Sequence, residues 1–139
     1  MPSRQKIKIA IASSGHIPSH FAHSINTAKH ADAFAKLGHD TELITVKRYQ
    51  EAKYLKEIDN IDDWYGVDNL RIKYIRDKSI FYFQEKKPYR RVINALQKFS
   101  LNKIKDILDP EKEISQYIKE NEFELCFARS YRVVKYNIQ

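Results

Sequence analysis

Glycine is scarce in this chain: 3 of 139 residues, beside 4 prolines and one cysteine. With so few breakers, and no Ser-, Gln- or Gly-rich stretch, neither a flexible linker nor a low-complexity tail is indicated. No internal repeat is present. The lone Cys126 excludes a disulfide framework and fits a reducing compartment. It sits in the apolar run Phe123-Glu-Leu-Cys-Phe-Ala128, where a thiol acts as a small buried hydrophobe. Long apolar runs are missing too. The stretch from Ile7 to Ala12 is interrupted by Lys8 and is too short to span a membrane, so it reads as a strand. Three spaced glycines of a dinucleotide fingerprint and the Gly-Lys-Ser/Thr of a Walker A loop are both absent.

What is there is a globular composition, 42% hydrophobic and 31% charged, with a net charge of +7. A chain of this length forms one domain that buries roughly two thirds of its unfolded surface. The positive charge favours phosphates, anionic lipid or nucleic acid without choosing among them.

Residues 6–12 carry β-branched residues at alternate positions, with alanines on the second face, which predicts a strand buried on both sides. Turn-rich Ser13-Ser-Gly-His-Ile-Pro-Ser-His20 follows. A helix then places Ile25, Ala28, Ala31, Phe34 and Leu37 on one stripe and stops at Gly38. Thr41–Val46 completes a β-loop-α-turn-β unit, from which a Rossmann-like α/β fold with a parallel sheet flanked by helices is predicted. Further on, 49–58 reads as a short helix. Glu57, Asp59, Asp62 and Asp63 read as a solvated charge run with an irregular end at Trp64-Tyr-Gly66. Leu70–Ile75 alternates apolar and basic residues as a third strand, and residues 91–108 form an amphipathic helix. Asp109 and Pro110 start another, as N-cap and first helical residue, with Ile114, Tyr117 and Ile118 inward and an end near Asn121. Glu124–Ala128 is the last strand; Arg129–Arg132 is a loop, and 133–139 begins a further helix.

In an open parallel sheet, ligands bind beyond the carboxyl ends of the strands. Two segments must lie there. The loop after the first strand carries Gly15, which permits close approach, and His16, and leads into a helix start at His23–Ser24 that attracts anions. After the last strand come Arg129, a guanidinium fork, and Ser130. All five histidines, 16, 20, 23, 30 and 39, fall in one window, but they span a proline-containing loop and both ends of a helix; no metal site is expected. His30 and His39 read as helix-surface and cap residues. Aromatic and basic residues interleave over 79–91, as a surface loop, a base-stacking strip or a lipid-facing one. No nucleic-acid module signature accompanies them, so no specific nucleic acid is expected.

Lys6-Ile-Lys-Ile-Ala-Ile-Ala12, Ala22-His-Ser-Ile-Asn26 and above all Ala33-Phe-Ala-Lys-Leu-Gly-His-Asp-Thr-Glu-Leu-Ile-Thr45 resemble the N-terminal, acceptor-side domain of family 4 glycosyltransferases of the GT-B fold. Tyr65-Gly-Val67 and Phe123–Ser130 resemble later landmarks of that domain. The resemblance implies a retaining enzyme that moves a sugar from a nucleotide-sugar to a glycan or lipid-linked acceptor, without metal or other cofactor. It implies a substrate-facing role for Gly15, His16, His23 and Ser24, and a weaker one for Arg129 and Ser130; it identifies no catalytic residue. It further implies that residues 1–139 are one incomplete domain, inactive alone. The donor-binding C-terminal domain, with its Glu-x7-Glu region, would be supplied by a longer chain or a split partner. An unfinished sheet would favour self-association. A cytoplasmic protein, peripheral to the inner face of the membrane through 79–91, is the expected setting. The competing expectation is a non-catalytic basic α/β module that binds nucleic acid or anionic membrane; a zinc enzyme built on the histidines is a third.

Overall fold

The computed structural model describes residues 5–15, 17–47, 58–68, 70–76, 109–129 and 133–134. Strand β1 (Lys8–Ser13) leads through a loop into helix α1 (Ala22–Lys36), and strand β2 (Asp40–Lys47) follows. Next come a short helix α2 (Ile61–Tyr65), strand β3 (Ile72–Arg76), helix α3 (Pro110–Glu120) and strand β4 (Leu125–Ala128). The four strands form one all-parallel sheet in the order β3-β2-β1-β4. This is the Rossmann-like α/β arrangement that the β-loop-α-turn-β pattern predicts. The order reverses between β1 and β4, which makes their carboxyl ends the topological switch point.

Alternation along β1 divides the core. Ile9 and Ile11 join Ile17, Ala28, Ala31, Leu43, Tyr65 and Val67 on the α1 face. Ala10 and Ala12 join Ile44, Val46, Ile114, Ile118 and Val133 on the α3 face. A strand buried on both sides cannot spare a polar face, which is why β1 reads as the unbroken apolar run Ile9–Ala12, while β2 is apolar only at Leu43, Ile44 and Val46. At the sheet edge, the two faces of β4 are covered unequally: Cys126 and Ala128 pack toward α3, whereas Leu125 and Phe127 are 43% and 46% exposed. Partial burial pushes the Cys126 thiol above its usual pKa, in keeping with a packing role.

The end of α1 is a Schellman turn. His39 N–H donates to Phe34 O at 3.2 Å and Gly38 N–H to Ala35 O at 2.9 Å, with Gly38 at φ 93°. Leu37, expected on the buried stripe, is instead half exposed. It occupies the cap, where helical periodicity has already ended. The start of α3 is as expected: the Asp109 carboxylate accepts from Glu111 N–H at 3.0 Å and Pro110 opens the first turn.

Residues 59–66 depart from the expected irregular end. Asn60 caps α2 by accepting from Asp62 N–H at 2.9 Å, and Gly66 closes it at φ 61°. Asp62 and Asp63 lie in its first turn, where carboxylates complement the dipole, and Asp62 also accepts from Leu70 N–H at 3.2 Å. The charge run thus serves a helix terminus and is not merely solvated. β3 begins two residues later than expected, with Leu70 packing on the core before pairing starts. The expected helices over 49–58 and 91–108, the aromatic-basic stretch 79–91, and the segments 130–132 and 135–139 lie outside the described residues, apart from Ile58 itself.

Asp32 ties α1 to the turn before β3. It is buried, accepts from Asp68 N–H at 3.0 Å, and pairs with Lys36 at 2.8 Å; Lys36 also reaches Asp68 at 2.9 Å. The Lys36 ammonium, then the Asp68 amide, hold the Asp32 pKa below its ordinary value against the opposing effect of burial. A carboxylate whose pKa is lowered by folding contributes stability above its unfolded pKa, and that contribution is lost as pH falls through the folded value. Asp32→Asn is therefore expected to unfold at lower urea than the parent at pH 7, with the gap closing below about pH 4. A gap that persists unchanged in acid would show that shape, not charge, is what Asp32 contributes.

Candidate functional site

The middle of the loop between β1 and α1 is buried, although it is irregular. Ile17, Pro18 and Ser19 are all inaccessible, so their backbone polar groups need partners within the protein. Side chains from several elements provide them. Ser13 Oγ accepts from Gly15 N–H at 3.1 Å, and Thr45 Oγ1, from the adjacent strand β2, donates to Gly15 O at 3.2 Å. Tyr65 of α2 closes the far end, its hydroxyl accepting from Ser19 N–H at 2.6 Å and donating to Ser19 O at 3.2 Å. Ser19 Oγ donates to Ser24 Oγ at 2.8 Å, pinning the first turn of α1 beneath the loop.

Above this plug, at the carboxyl ends of β1 and β4, an open cavity of about 330 Å³ is lined by Ser13, Ser14, Gly15, His23, Glu111 and Arg129. Glu111 comes from the first turn of α3, and Ser14 Oγ donates to its Oε1 at 3.1 Å. Gly15 leaves room for an imidazole: a Cβ there would lie 2.7 Å from His23 Nε2 and 2.8 Å from Cδ2. The His23 ring also stacks on Phe21, with centroids 5.6 Å apart and planes 11° apart. Phe21 occupies the N-cap of α1, is 50% exposed and offers no side-chain cap. His20 meets its ring at 5.1 Å. An aromatic ladder thus runs from solvent to the cavity wall.

Of the residues expected at the site, the structure brings Gly15, His23 and Arg129 together. Ser24 does not line the cavity; it is fully buried and bonded to Ser19, so its role is to hold the loop. His16 and Ser130 lie outside the described residues. Ser13, Ser14 and Glu111 join the site without having been singled out from sequence. Glu111 had a legible signal: a helix that precedes a parallel strand begins at the carboxyl edge, and β4 beside β1 brings that edge to Ser14. No family model, curated protein or solved structure matches the chain significantly.

Of the described histidines, His20 and His23 share the Phe21 ring, whereas His30 and His39 have other partners. His30 Nδ1–H donates to Asn26 O at 2.7 Å while its ring meets Phe127 at 5.3 Å, and His39 Nδ1 accepts a long 3.5 Å bond from Ile7 N–H. Among the described residues no group of three or more His, Cys, Asp or Glu could hold a metal ion. Nor is any helix among them long and apolar enough to cross a membrane. Chemically, the cavity offers two hydroxyls, one carboxylate, one imidazole and one guanidinium, a set able to donate to and accept from a polar ligand at several points.

Two outcomes follow from the loop's construction. Gly15→Ala should displace the His23 ring, at a stability cost on the order of 1 kcal/mol because a side chain and not the backbone must yield. In a double-mutant cycle with His23→Ala that cost should largely vanish; additivity within about 0.5 kcal/mol would show that the two do not compete for space. Tyr65→Phe removes a buried hydroxyl that satisfies both Ser19 backbone groups, and is expected to cost roughly 1–3 kcal/mol in urea unfolding and to speed amide exchange at Ser19.

Proposed function

We propose that this chain is the acceptor-side part of a retaining glycosyltransferase of the GT-B type. It would act on a glycan or lipid-linked acceptor with a sugar delivered by a nucleotide-sugar. The observation that carries this reading is the polar cavity at the β1/β4 switch point, beside an exposed aromatic ladder. Hydroxyl, carboxylate and guanidinium groups suit the alternating donors and acceptors of a sugar edge, and an exposed ring beside them suits its apolar face. The resemblance of residues 6–12, 22–26, 33–45, 65–67 and 123–130 to the family supports it from the sequence side.

On this reading Gly15, His16, His23, Arg129 and Ser130 face the acceptor, with Ser24 supporting the loop from below. A donor-binding domain opposite this edge would hold the nucleotide-sugar and stabilise the departing diphosphate electrostatically. Residues 79–91 would rest on the inner face of the cytoplasmic membrane and bring a lipid-linked acceptor within reach.

Titration of the isotope-labelled chain with methyl glycosides and lipid-linked sugars, followed by amide shifts, tests this. Shifts should centre on Ser14, Gly15 and His23, and Arg129→Ala should weaken binding about tenfold by removing a charged donor. The net charge of +7 favours one other reading, a basic module without catalysis. Salt-sensitive binding to oligonucleotides or anionic vesicles, with no glycoside response, would put that module in its place.

A further inference from the structure

Several features of the cavity invite a phosphate. The N-terminus of α1 has neither an acidic first turn nor a side-chain cap, Arg129 supplies a guanidinium, and a glycine sits in the loop. Two observations oppose it. The Gly15 N–H is already committed to Ser13 Oγ and the Gly15 carbonyl to Thr45, so the loop backbone is turned toward the protein rather than toward a ligand. The carboxylate of Glu111 also stands in the same cavity, anchored by Ser14 Oγ at 3.1 Å and by the Asp109 cap on its own N–H. With Glu113 in the same turn, the positive end of α3 is answered by protein carboxylates.

We propose that Glu111 is a specificity-determining residue that turns phosphate away from this cavity and reserves it for uncharged hydroxyl groups. A phosphate dianion bound to Arg129 would share the cavity with a second anion, and like charges at short range repel. A neutral vicinal diol meets no such opposition. One hydroxyl can donate to Glu111 while its neighbour accepts from Arg129. That the hydroxyls belong to a glycosyl acceptor rests on the transferase reading; the exclusion of phosphate does not. A nucleotide-sugar would accordingly keep its diphosphate elsewhere, on the opposing domain, and this cavity would meet only sugar.

The test is a pair of amide-shift titrations of the full chain, at fixed ionic strength and pH 7, with inorganic phosphate and with methyl glucoside. Glu111→Gln keeps the side-chain shape and an acceptor for Ser14 but removes the charge. Phosphate is expected to bind this variant at least tenfold more tightly than the parent, with shifts at Ser14 and Gly15, and Arg129→Ala in the same background should abolish the gain. Should Glu111→Gln fold poorly, Glu111→Ser, which keeps a residue favoured near helix starts, must move phosphate affinity in the same direction. Equal phosphate responses in parent and variants, including none in any of them, would overturn the proposal. Methyl glucoside shifts with no change in phosphate affinity would sink it while leaving the transferase reading in place. A phosphate gain in Glu111→Gln, without any response of the parent to glycosides or lipid-linked sugars, would uphold it and sink that reading instead.

Discussion

Buried backbone must find hydrogen-bond partners, and at Gly15 and Ser19, between β1 and α1, side chains supply them. Ser13 and Thr45 take the two polar groups of Gly15, and the single hydroxyl of Tyr65 takes both of Ser19. These donors and acceptors sit on β1, β2 and α2, elements separated by up to 52 positions in the chain. The loop cannot adopt its shape until the sheet has paired and α2 has docked. The cavity is therefore a product of tertiary assembly and not of local turn chemistry. That Ile17 and Pro18 are buried as fully as core residues follows from the same arrangement, because a satisfied backbone lets their apolar side chains enter the interior without penalty.

The two helices that begin at this edge are treated in opposite ways. α3 opens with Asp109, Pro110, Glu111 and Glu113, a start in which cap, fixed φ and carboxylates all agree. α1 opens on an exposed phenylalanine with no acidic residue behind it. An uncapped start typically forgoes about 1 kcal/mol relative to Ser, Thr, Asp or Asn at that position. Among the described helices, α2 is capped by Asn60 and α3 by Asp109, whereas the start of α1, which borders the cavity beside that of α3, has no side-chain cap. Departures from local consistency of this kind concentrate where a surface is used.

Much of the fold was legible because its signals are local. The Gly38 turn, the Asp109-Pro110 start and the two-sided burial of β1 each depend on a few adjacent residues, and each stands where the pattern puts it. Legibility failed where a residue answers to something distant. Leu37 fits the stripe of α1, but the helix has ended one residue before it. Asp62 and Asp63 resemble part of a solvated run until Asn60 and Gly66 are seen to bracket them as caps. At the site, the rule that ligands gather beyond the carboxyl ends of parallel strands found Gly15, His23 and Arg129. It could not show that Ser24, one residue after His23, points down into the loop while His23 points up into the cavity.

Gly15 illustrates how structure can keep a residue's importance and change its reason. A glycine in a loop at this edge suggests a backbone conformation open only to glycine, or a ligand pressed against the chain. The geometry gives another reason: its φ is not in the left-handed region, and the space a Cβ would fill is occupied by the His23 ring. Phe21 stacks on that imidazole nearly in parallel, so the ring is held both by the absence of a side chain at Gly15 and by an exposed aromatic at Phe21. The Nε2–Cδ2 edge of the ring lies against Gly15 and the ring lines the cavity, so a side chain at Gly15 would reach the cavity wall through the histidine.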